Sequence, residues 1–234
     1  IMNNLFSTQS DTYNHPERAS FYRDNKSYLW VLAILSGATG LYLSLMSGLL
    51  PFTVLLVMSL LGLSYNLKLL PATPGNRKGM ARIRDIPGSK TILIVLAWGT
   101  VTCLLPALAC DCHPVAVGVV FVAALGMVFG RTAFFDILAV QGDRITGKET
   151  LPILLGEKKS LTLILAVLAG ASLLLLVAGM SGILVKNAFW LAFIPLGMLL
   201  WVKFFEKERL ISAVYAEFFM ESFFIAAGLL AAVI

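Results

Sequence analysis

Between Arg131 and Pro152 the chain sets carboxylates and cations at helical spacing: Arg131, Asp136, Asp143, Arg144 and Lys148. On a helix, positions 136, 139 and 143 are i, i+3 and i+7 and share one face. The stretch lies where a long apolar segment runs out into a basic loop. Two carboxylates on one face at such a boundary, with Arg144 and Lys148 close behind, can hold a divalent cation and a phosphate together. A similar face opens the chain, where Asn3, Ser7 and Asp11 recur every four residues. Each face leads into a basic, proline-containing loop, and helix ends do collect polar residues for ordinary reasons. Charge inside a membrane span is costly and usually kept for function, however, so the two faces are expected to converge across a bundle interior.

The elements that must position these residues follow from composition. The chain has 234 residues, 59% of them hydrophobic and only 13% charged, with a mean hydropathy of +0.87. That is too apolar for a water-soluble globule. Seven apolar stretches, near 28–48, 50–70, 90–109, 114–135, 160–180, 184–204 and 212–233, match the roughly 20 helical residues that cross a bilayer core. Each must be helical, since lipid offers free amides no partner and nothing here alternates like a barrel strand. The expected architecture is an all-α, polytopic bundle of seven transmembrane helices forming one domain over residues 1–234. Of the 18 Lys and Arg residues, only Lys186 falls in the loops opposite the basic ones, which makes the basic side cytoplasmic.

The net charge of +5 follows loop topology, and no aromatic-basic module accompanies it, so nucleic-acid binding is not expected. Three cysteines imply no disulfide framework. Cys110-Asp111-Cys112-His113 reads as an outer turn with an oxidisable thiol pair. Asn14 to Arg18 reads as a turn, while Pro71, Pro74, Gly75, Pro87 and Gly88 limit helix in the loop before Lys90. Gly147 and Pro152 do the same in the loop from 143 to 159. Glu217 and Glu221, at i and i+4 in the last span, face an acceptor or carry a proton on one reading. On the other, Glu217 snorkels or pairs with Lys207 or Arg209. The chain opens on Ile1 with Asn3, Ser7 and Asp11 already resembling a helix tail, so further spans are expected upstream.

In these residues the chain resembles the UbiA superfamily of intramembrane prenyltransferases. The family's first motif, Asn-x3-Asp-x3-Asp followed by Asn-x-Pro-x-Arg, is matched by Asn3, Ser7, Asp11, Asn14, Pro16 and Arg18. Its second, an Asp-x3-Asp often preceded by another Asp and followed by Gly and Thr-Leu-Pro, is matched by Asp136, Ala139, Asp143, Gly147 and Thr150-Leu151-Pro152. Tyr65 and Lys68 look like the intervening Tyr-x2-Lys element, and Asp85-Ile-Pro-Gly-Ser-Lys90 is similar to the entry of the next span in some bacterial members. The family places its first motif at the end of its second span, which fits seven spans here. The resemblance implies Mg²⁺-dependent transfer of a prenyl group from its diphosphate to a lipophilic or aromatic acceptor. It places the protein in a bacterial or archaeal inner membrane with the active site on the cytoplasmic side.

Physical chemistry points the same way. A prenyl diphosphate joins an oily tail to a strongly anionic head, and suits an apolar tunnel ending at a cationic mouth. Charge that accumulates on the leaving diphosphate is best stabilised by preorganised cations where water is scarce. The resemblance then assigns Asn3, Asp11, Asp136 and Asp143 as metal ligands, with Asp11, Asp136, Asp143, Lys68 and Tyr65 catalytic. Asn14, Arg18, Arg131, Arg144 and Lys148 become substrate-binding residues. Ser7 and Ala139 stand where the family normally has carboxylates, and fewer negative ligands weaken cation binding. A prenyltransferase-like protein that binds the lipid head without turnover is therefore the alternative. A transporter is a second one, although it would favour midplane charges over helix-end clusters. A CDP-alcohol phosphotransferase is excluded by the absence of its Asp-Gly-x2-Ala-Arg pattern.

Overall fold

Long apolar runs leave the backbone one way to satisfy its amides in lipid, and the chain is helical through all of them. The structure, a computed structural model, describes residues 16–65, 68–70, 81–83, 86, 88–109, 112–145, 149–207 and 212–233. Asn3, Ser7, Asp11, Asn14, Gly147 and Lys148 lie outside the described residues, and so does the expected meeting of Asp11 with Asp143.

Pro16 opens the first described helix, α1 (Pro16–Asp24), so residues 16–18 are helical where a turn was expected. Proline suits a helix start because its missing N–H would have no partner there. The spans follow as α2 (Lys26–Ser47) and α3 (Leu49–Ser64), joined through Gly48 alone and packed on each other. After α3, β1 (Lys68–Leu70) pairs antiparallel with β2 (Ala81–Arg82), Lys68 facing Arg82. The second apolar stretch thus ends at Ser64 instead of 70, because the chain turns at Tyr65 to make this small ladder.

The third span runs from Ser89 to Leu108 as α4 (Ser89–Gly99), a π-helical turn (Thr100–Leu104) and α5 (Leu105–Leu108). Pro106 withholds an N–H from the carbonyl of Thr102, and a widened turn just ahead of it absorbs that loss. The fourth span is α6 (Pro114–Leu138). It is followed by the short helices α7 (Val140–Ile145) and α8 (Leu151–Leu155), then by α9 (Glu157–Met180). Pro152 sits in the first turn of α8, so it starts a helix where it was expected to break one. A 3-10 stretch (Lys186–Ala192) leads into α10 (Phe193–Lys207), and α11 (Ala213–Val233) ends the described bundle. Six of these spans are long and apolar enough to cross a membrane, and α3, at 16 residues, is a shorter apolar helix. At the outer turn, Cys112 is disulfide-bonded while Cys103 is free.

Between lipid-soaked helices there is little hydrophobic driving force, so close packing and small residues hold them together. Gly126 and Gly130, spaced four apart on α6, let α9 approach so closely that a Cβ at 130 would stand 2.7 Å from Leu168. Gly179 meets the backbone of Phe189 in the same way. The resulting core joins Met127, Phe134 and Ile137 of α6 to Ile164 and Leu168 of α9, Met198 and Val202 of α10, and Met220 of α11. Phe134 packs edge-on against Phe205 at 5.2 Å. The fourth span is therefore held on several sides, and it carries the acidic motif.

Candidate active site

The acidic stretch is not one continuous helix. α6 stops at Leu138, Ala139 takes φ −90° and ψ 0°, and the chain resumes as the single turn α7. Helical bonds continue across Ala139, whose N–H donates to the Phe135 carbonyl and whose carbonyl accepts from the Asp143 N–H, and Asp136 and Asp143 both act on Lys90. Alanine is the best helix former, so local propensity does not explain the break. It accompanies burial of Val140, Gly142 and Asp143.

Asp136 is 1% exposed and Asp143 3%. Burying a carboxylate costs on the order of several kcal/mol unless it is paired and hydrogen-bonded. For Asp136 both conditions are met by the start of α4. The Lys90 ammonium donates to Oδ1 at 3.1 Å and the Thr91 hydroxyl donates to Oδ2 at 3.0 Å. Gly88 aims this pair. It adopts a left-handed φ of 73°, easy only for glycine, and donates its N–H to the Glu149 carbonyl at 3.4 Å. Gly99, eleven residues on, has no room for a Cβ without displacing Leu125, which keeps α4 tight against α6.

Asp143 and Tyr65 both lie close enough to act electrostatically on the Lys90 ammonium. Two acids, a phenol and an ammonium thus gather from the turn after α3 and from α4, α6 and α7. Around them are buried hydroxyls. Thr132 stands one turn before Asp136 on the same face, Ser89 precedes Lys90, and Thr150 follows Glu149. None of these three hydroxyls has a hydrogen-bond partner among the described residues. Buried hydroxyls normally find one, and these three leave hydrogen-bonding capacity unused within four residues of Asp136, Lys90 or Glu149 in the chain.

The remaining site residues are placed differently. Arg131 lies five residues before Asp136, about 7.5 Å along the axis. Its Nε donates to Glu221 Oε1 at 2.9 Å, a second guanidinium nitrogen reaches the same oxygen, and its carbon lies 4.6 Å from the Phe135 ring centroid. Arg131 is thus paired with Glu221 of α11. Glu217 is buried instead of snorkelling. Arg144 is exposed on α7, Arg18 lies on α1, and Lys68 lies in β1. Lys90 and Thr91 were missed as site residues, since Lys90 read only as a loop cation. The available signal was Ser-Lys-Thr directly after Pro87-Gly88, at the mouth of an apolar span.

The donors at this site are hard oxygens, as Mg²⁺ prefers. That ion is commonly held by one or two carboxylates completed by water and phosphate oxygens. Asp136, Asp143 and the neighbouring hydroxyls fit that pattern. Among the described residues no group of three or more His, Cys, Asp or Glu forms an all-protein cage.

Fold and site together define an integral membrane protein, an α-helical bundle with an acid–base cluster where one span meets a basic loop. The model of the UbiA prenyltransferase family matches residues 1–228, and the chain belongs to that family. No curated protein and no solved structure matches it.

Proposed function

We propose that the protein transfers a prenyl group from a prenyl diphosphate to a lipophilic or aromatic acceptor within the membrane, with Mg²⁺ as cofactor. The observation that carries this reading is the buried Asp136, bonded by both Lys90 and Thr91. Such a cluster beside an apolar bundle suits a substrate with an anionic head and an isoprenoid tail. Asp143, with Asp11 and Asn3, would hold Mg²⁺, which when bound would neutralise charge on the departing diphosphate. Lys68, Arg144, Lys148, Asn14 and Arg18 would supply a cationic and polar mouth, with Tyr65, which acts on Lys90, as a further catalytic group. In the reaction the allylic C–O bond breaks, inorganic diphosphate leaves, and the acceptor bonds to the prenyl C1 and loses a proton. Apolar spans keep water from the allylic cation. The site is proposed to face the cytoplasm of a bacterial or archaeal cell, since the basic loops flank it.

A second reading, a lipid-head binder without turnover, draws on Ala139, which puts a methyl group where the family has a carboxylate. Incubating the full-length protein with radiolabelled prenyl diphosphates and an acceptor panel, with and without Mg²⁺, separates the two. Mg²⁺-dependent release of diphosphate with a labelled product is expected. Binding without release under every condition would leave only the second reading. Ala139→Asp should raise product formation if the site is depleted but active.

A further inference from the structure

Resting on that reading, we infer that Asp136 is a positioning residue that holds the Lys90 ammonium at the mouth of the site, and that Lys90 binds the substrate's diphosphate directly. Both carboxylate oxygens of Asp136 are already engaged, Oδ1 by Lys90 and Oδ2 by Thr91. Its side chain is 2% exposed, whereas that of Lys90 is 40% exposed. The pair is therefore lopsided: the acid is sunken, while part of the Lys90 side chain is exposed and its ammonium lies against the acid. An ammonium has three donors, and Asp136 takes one of them among the described residues. The others are available to an anionic oxygen. Asp143 also acts electrostatically on Lys90.

Charge counting supports this division of labour. Ala139 removes one carboxylate from the motif, and Lys90 neutralises a second by pairing with Asp136. Asp143 is the other described carboxylate of the motif, and it too acts on Lys90. A diphosphate head carries about three negative charges, and a fixed ammonium meets part of that demand without metal, as charge-assisted donors to phosphate do. The site then needs fewer divalent cations than a motif with its full complement of acids.

The test measures binding of radiolabelled farnesyl diphosphate to the purified full-length chain, first in EDTA and then across an Mg²⁺ titration. In EDTA, Lys90→Met should weaken binding roughly tenfold or more, the loss expected for a charged hydrogen bond, and Lys90→Arg should restore most of it. Asp136→Asn should weaken binding in EDTA several-fold while leaving the half-effective Mg²⁺ concentration unchanged. Asp143→Asn should raise that concentration at least tenfold. Lys90→Met leaves a buried carboxylate unpaired, so the double variant Lys90→Met with Asp136→Asn, which removes both charges, should show the same loss in EDTA. Unchanged EDTA binding in both Lys90 variants would overturn the inference. So would an Asp136→Asn shift in Mg²⁺ requirement equal to that of Asp143→Asn, since Asp136 would then be a metal ligand. Failure of the wild-type chain to bind under either condition would remove the proposed function itself.

Discussion

Two ion pairs hang on the fourth span, and they are built for different work. The Lys90–Asp136 pair joins α4 to α6 with a buried acid, a partly exposed base and three unused hydroxyls near it in the chain. The Arg131–Glu221 pair joins α6 to α11 deeper along the span, with side chains 24% and 45% exposed and the Phe135 ring against the guanidinium. The second pair has an aromatic wall where the first has hydroxyls. Opposite charges between spans are thus not sufficient to mark a site. Polar capacity left over after pairing distinguishes a ligand-ready cluster from a fastening between helices.

The comparison breaks most sharply at Asp143. Asp143→Asn should cut Mg²⁺-stimulated diphosphate binding by roughly 100-fold, the scale of losing a preorganised electrostatic partner. Filter binding measures this, and retained binding would take Asp143 out of the site. Thr91→Val removes the hydroxyl that satisfies a buried carboxylate, worth about 1.5–3 kcal/mol for a bond to a charged group. Diphosphate binding should fall about tenfold as Asp136 loses its orientation, while the Arg131–Glu221 contact persists.

Gly130→Ala tests what the two pairs share. The new Cβ would lie 2.7 and 2.9 Å from side-chain atoms of the fully buried Leu168. Overpacking of this kind costs about 1–3 kcal/mol, and the thermal unfolding midpoint should fall by several degrees. Normal stability would mean that Leu168 repacks freely. The smallest effect is expected at Glu221. Glu221→Gln should lower the midpoint by roughly 2–4 °C, the shift that accompanies about 1 kcal/mol in a chain of this size, with diphosphate binding intact. Lost binding at normal stability would move the Arg131–Glu221 pair into the active site.

Much of the scaffold was legible because a lipid-facing helix is a local property of composition. The apolar runs became helices with ends displaced by a few residues, apart from the early close of α3 and the 3-10 entry to α10. Both exceptions arise where the chain meets a loop and pairing or packing decides. The break at Ala139 was not legible, since the residue itself favours helix and only the fold makes the turn worth forming.

The sequence by itself determined where helices run, which end of the bundle is basic, and that Asp136 and Asp143 fall at a span's end. Only the tertiary structure decided the partner of each charge. Lys90 and Asp136 are 46 residues apart, and Arg131 and Glu221 are 90 apart. Which cation meets which anion depends on the helix faces that touch. Close contacts such as Gly99 with Leu125 and Gly130 with Leu168 set those faces, and no local spacing rule encodes them.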